Sequence, residues 1–247
     1  MQINQHFDLK IALVQLWFGP IPDYFKYHLE TIKNIDFIDF YFFTDQDLDI
    51  KQPNFYYHKI DRDYVTQYLS YKLNCKIEIN SDKKFCDVKA ALSDIFYTHI
   101  KDYDYVGCYD IDTLFGDVNK FLKPHLGLYD FISIGEKTFY NRLSGPFLIY
   151  KNSEELRTLY KTDDFIRCIN RSDVEFFEET ILDKIVNTKY TKYIIGDTNV
   201  DPTSGNVIYE TTWSGGQLYC DGREIFLHHF YRNFLMRAGF AINQQFP

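Results

Sequence analysis

Two aspartates stand two residues apart in Tyr105-Val106-Gly107-Cys108-Tyr109-Asp110-Ile111-Asp112. On an extended chain successive side chains point to opposite faces, so Asp110 and Asp112 share one face while Ile111 turns back toward the core. Carboxylates so placed offer oxygens to one hard cation, and holding two like charges side by side at the end of an apolar strand is costly without one. A bare Asp-x-Asp also serves as a turn or a helix cap. Much later in the chain His228 and His229 are adjacent, so on a strand they face opposite sides and at most one reaches a site on either side. Joined to carboxylate oxygens, an imidazole suits manganese at least as well as magnesium. Ser172-Asp173-Val174-Glu175 holds two more acids. Either can take a proton from a hydroxyl, and Ser172 with Glu175 three residues on also fits a capping box. Lys72 and Lys89 precede the central strand, placed to meet a phosphate or to be solvated as most lysines are.

The elements that would carry these residues follow an α/β rhythm. From Tyr105 to Tyr109 no charge occurs, which predicts a strand buried on both faces, with the aspartates beyond its carboxyl end where ligands sit in open α/β sheets. Lys10 to Trp17 predicts another buried strand, broken by Gly19-Pro20-Ile21-Pro22 before a helix from Asp23 to Lys33. Phe37 to Thr44 and Asn54 to Lys59 read as strands, and Asp61 to Leu73 and Val88 to His99 as helices. Gly116 turns the chain, and Asp117 caps a short helix to Leu122. Farther on, strands are expected at Phe131 to Ile134, Phe147 to Tyr150, Lys192 to Ile195, Ile208 to Trp213, Gln217 to Cys220 and Glu224 to Phe230, with helices at Glu154 to Tyr160 and Val174 to Val186. Asp221-Gly222 is a short-range hairpin signal between the last two strands.

Composition narrows the function classes. A chain of 247 residues buries a substantial core, and with no internal repeat or low-complexity linker it reads as a single domain. Its formal charge of -8 argues against a nucleic-acid surface, because phosphate backbones are held by clustered Lys and Arg. Aromatic residues at 19% suit broad strands and stacking surfaces. The five cysteines, at 75, 86, 108, 168 and 220, show no CxxC pair, which reads as thiols in a reducing compartment. No run of about 18 apolar residues occurs, so the expectation is a soluble, cytoplasmic protein without a transmembrane segment.

Together these residues resemble the nucleotide-sugar glycosyltransferases of the GT-A fold, similar to those of bacterial polysaccharide clusters and of large DNA viruses of algae. The likeness covers most of the chain. It is carried by Lys10 to Gly19, Phe42-Phe43-Thr44-Asp45, Tyr71-Lys72-Leu73, Cys86-Asp87-Val88-Lys89, Tyr109-Asp110-Ile111-Asp112 with Phe115-Gly116-Asp117, Ser144-Gly145-Pro146-Phe147 with Tyr150-Lys151-Asn152, and His229-Phe230. The resemblance implies a Rossmann-like α/β domain with a mostly parallel central sheet and a β-rich C-terminal half, divided into a nucleotide-binding half of about 1–115 and an acceptor half of about 116–247. It implies Asp110, Asp112 and His229 as ligands of Mn2+ or Mg2+ on the diphosphate of a sugar donor, favouring a UDP-sugar. Gln15, Trp17 and Asp45 would lie at the strand ends beside base and ribose, with Lys89 near the phosphates. Glu175, with Asp173 as its substitute, would be the base that activates a glycan or other hydroxyl acceptor. Two departures are visible: the family commonly runs Tyr-Lys-Leu straight into Cys-Asp-x-Lys, whereas here residues 74–85 intervene, and where relatives show an Asp-Glu pair this chain has Val174-Glu175.

Two other readings use the same residues. Tyr109-Asp110-Ile111-Asp112-Thr113-Leu114 also resembles the first motif of haloacid-dehalogenase-type phosphatases, with Gly196-Asp197-Thr198-Asn199-Val200-Asp201 as a late acidic motif; that family, however, wants Thr where Leu114 stands and places its first motif near the N-terminus. A carbohydrate-binding or calcium-binding module would use the aromatic faces for sugar rings, and would leave the long β-α opening without a task.

Overall fold

The computed structural model describes residues 9–135, 141–200 and 211–230. Its centre is a seven-stranded sheet in the order β3-β2-β1-β4-β7-β6-β8, formed by β1 (Ile11–Trp17), β2 (Ile38–Thr44), β3 (Phe55–Lys59), β4 (Tyr105–Tyr109), β6 (Phe131–Ile134), β7 (Phe147–Lys151) and β8 (Lys192–Ile195). Between β4 and β6 the chain adds a short strand, β5 (Thr113–Phe115). In the central sheet β7 alone runs against its neighbours β4 and β6, so the sheet is mostly parallel.

The apolar runs account for this sheet. Along β1, Ile11 and Leu13 enter one core layer and Ala12 and Val14 the other, as a period of two requires of a strand covered on both faces. Helix α1 (Phe25–Ile32) closes one face by burying Phe25, His28, Thr31 and Ile32, and α2 (Arg62–Leu73) buries Val65 and Leu69 against the other. Strand order reverses where β1 meets β4, so the crevice beyond their carboxyl ends is the topological switch point.

The last part of the described chain is β-rich. An antiparallel meander joins β10 (Thr211–Ser214), β11 (Gln217–Cys220) and β12 (Arg223–Ile225). Its second turn is the expected Asp221-Gly222, with φ of 49° and 75°, a left-handed pair that Gly adopts without cost. Of the expected strand from Ile208 to Trp213, β10 holds the described part, and residues 208–210 lie outside those described. A third small sheet sets β13 (Leu227–His229) between β5 and β9 (Thr198–Val200).

Four expectations are corrected. Glu224 to Phe230 is not one strand: it breaks at Phe226, whose N–H is drawn to the Asp197 carbonyl at 2.6 Å, and β13 continues in another sheet. Val88 to His99 is not one helix. A 3-10 turn runs from Asp82 to Ala91, followed by the short helices Leu92–Ile95 and Tyr97–Ile100. Three residues per turn stack Lys84 over Asp87, and that buried pair closes at 2.8 Å. Glu154 to Tyr160 shortens to Glu154–Arg157, and an unforeseen helix follows at Asp163–Ile169. Finally, the segment from Ser172 to Phe176 is not helical. Phe176 has φ of 50°, and helix begins only at Phe177 with a π-helical turn over Glu178–Leu182. The capping box at Ser172 is therefore absent. The Glu175 N–H instead meets both oxygens of Asp87 at 3.1 Å, a long-range acceptor that outcompetes a local serine. Asp117 does cap as expected, accepting from the Lys120 N–H at 3.0 Å.

Candidate metal centre

Asp110 and Asp112 occupy the bend between β4 and β5, at the switch point. Hydrogen bonds hold this bend on every side. Asp110 N–H donates to the Pro146 carbonyl at 3.1 Å, the Thr113 hydroxyl donates to the Asp110 carbonyl at 2.5 Å, and Phe230 N–H donates to the Asp112 carbonyl at 3.0 Å. Helix α1 supports β5 from beneath. His28 Nδ1 lies 2.9 Å from the Thr113 carbonyl, its ring stacks on Tyr109, and Phe115 N–H donates to the Thr31 hydroxyl at 3.2 Å. A carbonyl can only accept, so His28 carries its proton on Nδ1. Burial pushes the His28 imidazole down to about 4, against the Thr113 carbonyl and Asp112, which favour its charge.

The antiparallel pairing of β13 with β5 sets His229 opposite Thr113 and so beside Asp112. His229 Nε2 lies 3.4 Å from Asp112 Oδ1 and 4.0 Å from Asp110 Oδ2. His228, on the other side of the strand, bonds Thr211 Oγ1 through Nδ1 at 2.9 Å and Asn199 through Nε2 at 3.3 Å. The two histidines thus part as an extended strand demands. Among the described residues, Asp110, Asp112 and His229 form a group whose ligand atoms all lie within 4.8 Å of one another. Burial disfavours charge on His229, yet Asp112 and then Asp110 outweigh it and raise its affinity for a proton. Asp112 is lowered in turn, chiefly by His229 and against its own burial.

This donor set fits a hard or borderline divalent cation. Small ions of that kind hold oxygen at about 2.1 Å, so two ligands of one ion lie at most about 4.2 Å apart. The two separations from His229 Nε2, 3.4 and 4.0 Å, meet that limit. Two carboxylates and one imidazole are also the mixed O and N set that Mn2+ accepts.

Lys89 belongs to this centre. Its ammonium lies 2.7 Å from Asp110 Oδ1 and 2.8 Å from Oδ2. Burial works against that charge, but Asp110, and after it Glu178, hold the Lys89 amine well above its usual range. Gln15, Trp17 and Asp45 stand at the carboxyl ends of β1 and β2 on the same edge of the sheet. Asp45 Oδ1 accepts from Gly19 N–H at 3.0 Å and from Gln46 Nε2 at 2.7 Å, which ties the loop after β1 to the end of β2. Those bonds lower its carboxyl despite some opposition from burial. Gln15 is buried with Nε2 on the Leu16 carbonyl, and the Trp17 indole N–H donates to the Pro20 carbonyl at 3.2 Å. Lys72 lies away from this group, its amine over the Tyr68 ring.

Asp173 and Glu175 do not join the cluster. Asp173 is exposed, and its carbonyl accepts from Lys84. The Glu175 carboxylate is ion-paired to Arg171 at 2.7 Å. The acid nearest the centre on this segment is one that sequence reasoning passed over. Glu178 is fully buried, and among the described residues neither of its carboxyl oxygens has a hydrogen-bond partner. Burial, against the pull of Lys89, pushes its carboxyl up to about 8. The signal was in the periodicity. Glu178 lies on the same i, i+4, i+8 stripe as Leu182 and Val186, both buried, where an acid is out of place. Its neighbour Glu179 accepts from Gly145 N–H at 3.2 Å.

No helix among the described residues is long and apolar enough to cross a membrane. No curated protein matches the chain. Solved structures similar to it include the apo-form glycosyltransferase GlyE of Streptococcus pneumoniae TIGR4, 15% identical with a TM-score of 0.34. That similarity covers 75% of this chain and 45% of the other, so this chain spans less than half the length of GlyE, and likeness at that level carries no weight for function. A family model described as a family of unknown function (DUF6625) matches residues 13–236, and the chain belongs to that family.

Proposed function

We propose that this protein is a metal-dependent glycosyltransferase of the GT-A type, moving a sugar from a nucleotide-diphosphate sugar, preferably a UDP-sugar, to a glycan or other hydroxyl acceptor. The observation that carries the reading is the convergence of Asp110, Asp112 and His229 at the switch point of a mostly parallel sheet, from segments more than a hundred positions apart. A divalent cation, Mn2+ or Mg2+, would neutralise the donor's diphosphate as the bond to the sugar breaks. Asp110 and Asp112 supply oxygens and His229 supplies Nε2. Lys89 adds a buried positive charge beside the same phosphates. Gln15, Trp17 and Asp45 border the place for base and ribose. The whole chain acts as one domain, with nucleotide on the side of β1, β2 and β4 and acceptor on the side of the later strands.

On the acceptor side Glu175 is the base of an inverting transfer, with Asp173 as its substitute. Helix starts only at Phe177, and the Glu175 carboxylate is ion-paired to Arg171. Changing Glu175 to Gln keeps its size and removes its base. Turnover is expected to fall roughly a hundredfold with donor affinity unchanged. A fall in Asp173→Asn alone moves the role to Asp173, and no loss in either leaves a retaining mechanism or a different base.

The reading is tested by calorimetric titration of UDP-sugars with and without Mn2+. Donor binding that requires the metal is expected, and Asp112→Asn should abolish transfer while the protein stays folded. Retained transfer in that variant overturns the site. Phosphatase turnover without donor binding, or glycan binding alone, replaces the function. Heat protection by GDP- or dTDP-sugars but not UDP-sugars corrects the base.

A further inference from the structure

Lys89 poses a problem for any cation at Asp110, because its ammonium occupies both oxygens of that carboxylate. A divalent ion arriving there meets a like charge, and Lys89, only 8% exposed, has no water to retreat into. It needs a second anion inside the protein. Glu178 is placed to be that anion. Both its oxygens are buried with no hydrogen-bond partner among the described residues, an expensive condition unless a partner arrives. Between the two side chains lies the space over Gly145: a β-carbon there would sit 3.0 Å from Lys89 Nζ and 2.4 Å from Glu178 Oε1. Only glycine leaves that passage open. The π-helical turn that opens at Glu178 is itself a feature common at functional sites.

We propose that Lys89 guards the cation site, and that Glu178 is the carboxylate that receives the Lys89 ammonium across the Gly145 gap when a divalent ion takes Asp110. The proposal rests on the metal-centre reading above and adds to it two positioning residues. Without the ion, Lys89 neutralises Asp110 and keeps the acidic bend folded, while Glu178 holds its proton, as a carboxyl titrating near 8 does at neutral pH. With the ion bound, Lys89 swings to Glu178, Glu178 releases its proton to bulk water, and the net charge of the centre rises by one less than the charge of the ion.

The test is Mn2+ binding to the full chain, read by the loss of the free-ion paramagnetic resonance signal in wild type, Lys89→Met, Glu178→Gln and the double variant. Lys89→Met should bind Mn2+ at least roughly tenfold more tightly than wild type, since a like charge is gone. Glu178→Gln should bind roughly tenfold more weakly, its lysine having nowhere charged to go. In the double variant the Glu178 effect should vanish, leaving the affinity of Lys89→Met. A Glu178→Gln protein that binds as wild type does, or a loss that persists when Lys89 is absent, overturns the exchange. Failure of the wild type to bind Mn2+ overturns the metal centre itself, a distinguishable result. Should Glu178→Gln not fold, Glu178→Asp serves: its shorter acid is expected to give an affinity weaker than wild type by less than roughly tenfold, and affinity equal to wild type counts against the proposal.

Discussion

Lys84 and Lys89 sit five residues apart on the same 3-10 stretch, and both are buried, yet their surroundings differ in kind. Around Lys84 every strong group is matched. Its amine meets Asp87 Oδ2 at 2.8 Å and the Asp173 carbonyl at 2.5 Å, while Asp87 also accepts the Glu175 N–H. Around Lys89 the pairing is incomplete, with one carboxylate, Asp110, at the mouth of the crevice and a second, Glu178, holding no hydrogen-bond partner among the described residues. A closed set of buried charges fixes backbone: it holds the segment 173–175 to the stretch 82–91 and forbids the capping box. An open set has two arrangements of similar cost, and so it can answer a ligand.

The contrast breaks most sharply on stability. Lys84→Met leaves Asp87 buried without its cation, and a loss of about 3–5 kcal/mol is expected. For a chain of this size that is a fall of roughly 10 °C in melting temperature. Lys89→Met should cost far less, because Asp110 is 18% exposed at its side chain and can take up water. Thermal denaturation of both variants at pH 7 in chelator decides it, and equal losses would erase the distinction.

Glu178 sharpens the comparison through pH. Its carboxyl titrates near 8 in the folded protein and near 4.5 in the unfolded chain, so between those values the folded state holds the extra proton. Stability without metal should therefore decline as pH rises from about 5 to 8, by up to about 1.4 kcal/mol per unit from this group. Denaturant titrations at pH 5, 6.5 and 8 should show a smaller decline in Glu178→Gln, and an unchanged slope would mean that Glu178 is not held neutral.

The smallest effect concerns the gap. Gly145→Ala places a methyl against Glu178 and Lys89, with an expected cost of about 1 kcal/mol. Its more telling readout is Mn2+ affinity, which should move toward that of Glu178→Gln; no change in either measurement would mean that the space is not used.

Much of the framework was legible because its causes are local. The charge-free runs made β1, β2 and β4 strands, Asp221-Gly222 turned the last hairpin, and Asp117 capped its helix. Each outcome depends on residues a few positions apart, whose sterics and hydrogen bonds act before the chain is compact. The adjacency of His228 and His229 likewise dictated that only one faces the acids. Which one does was settled by the register of β13 on β5, a pairing across more than a hundred residues.

The same holds for the residues that were misjudged or missed. Ser172 to Glu175 has the pattern of a helix start, but Asp87, 88 residues earlier, captures the Glu175 N–H. Glu178 reads as one acid on a helix until packing buries it beside Lys89 and Gly145. Sequence alone determined the strands of the central sheet, the paired aspartates and the kind of cation they suit. Tertiary structure decided which histidine joins them, which lysine opposes them and where the spare carboxyl lies, because burial and long-range pairing set the energy of a charge far more strongly than its neighbours in the chain do.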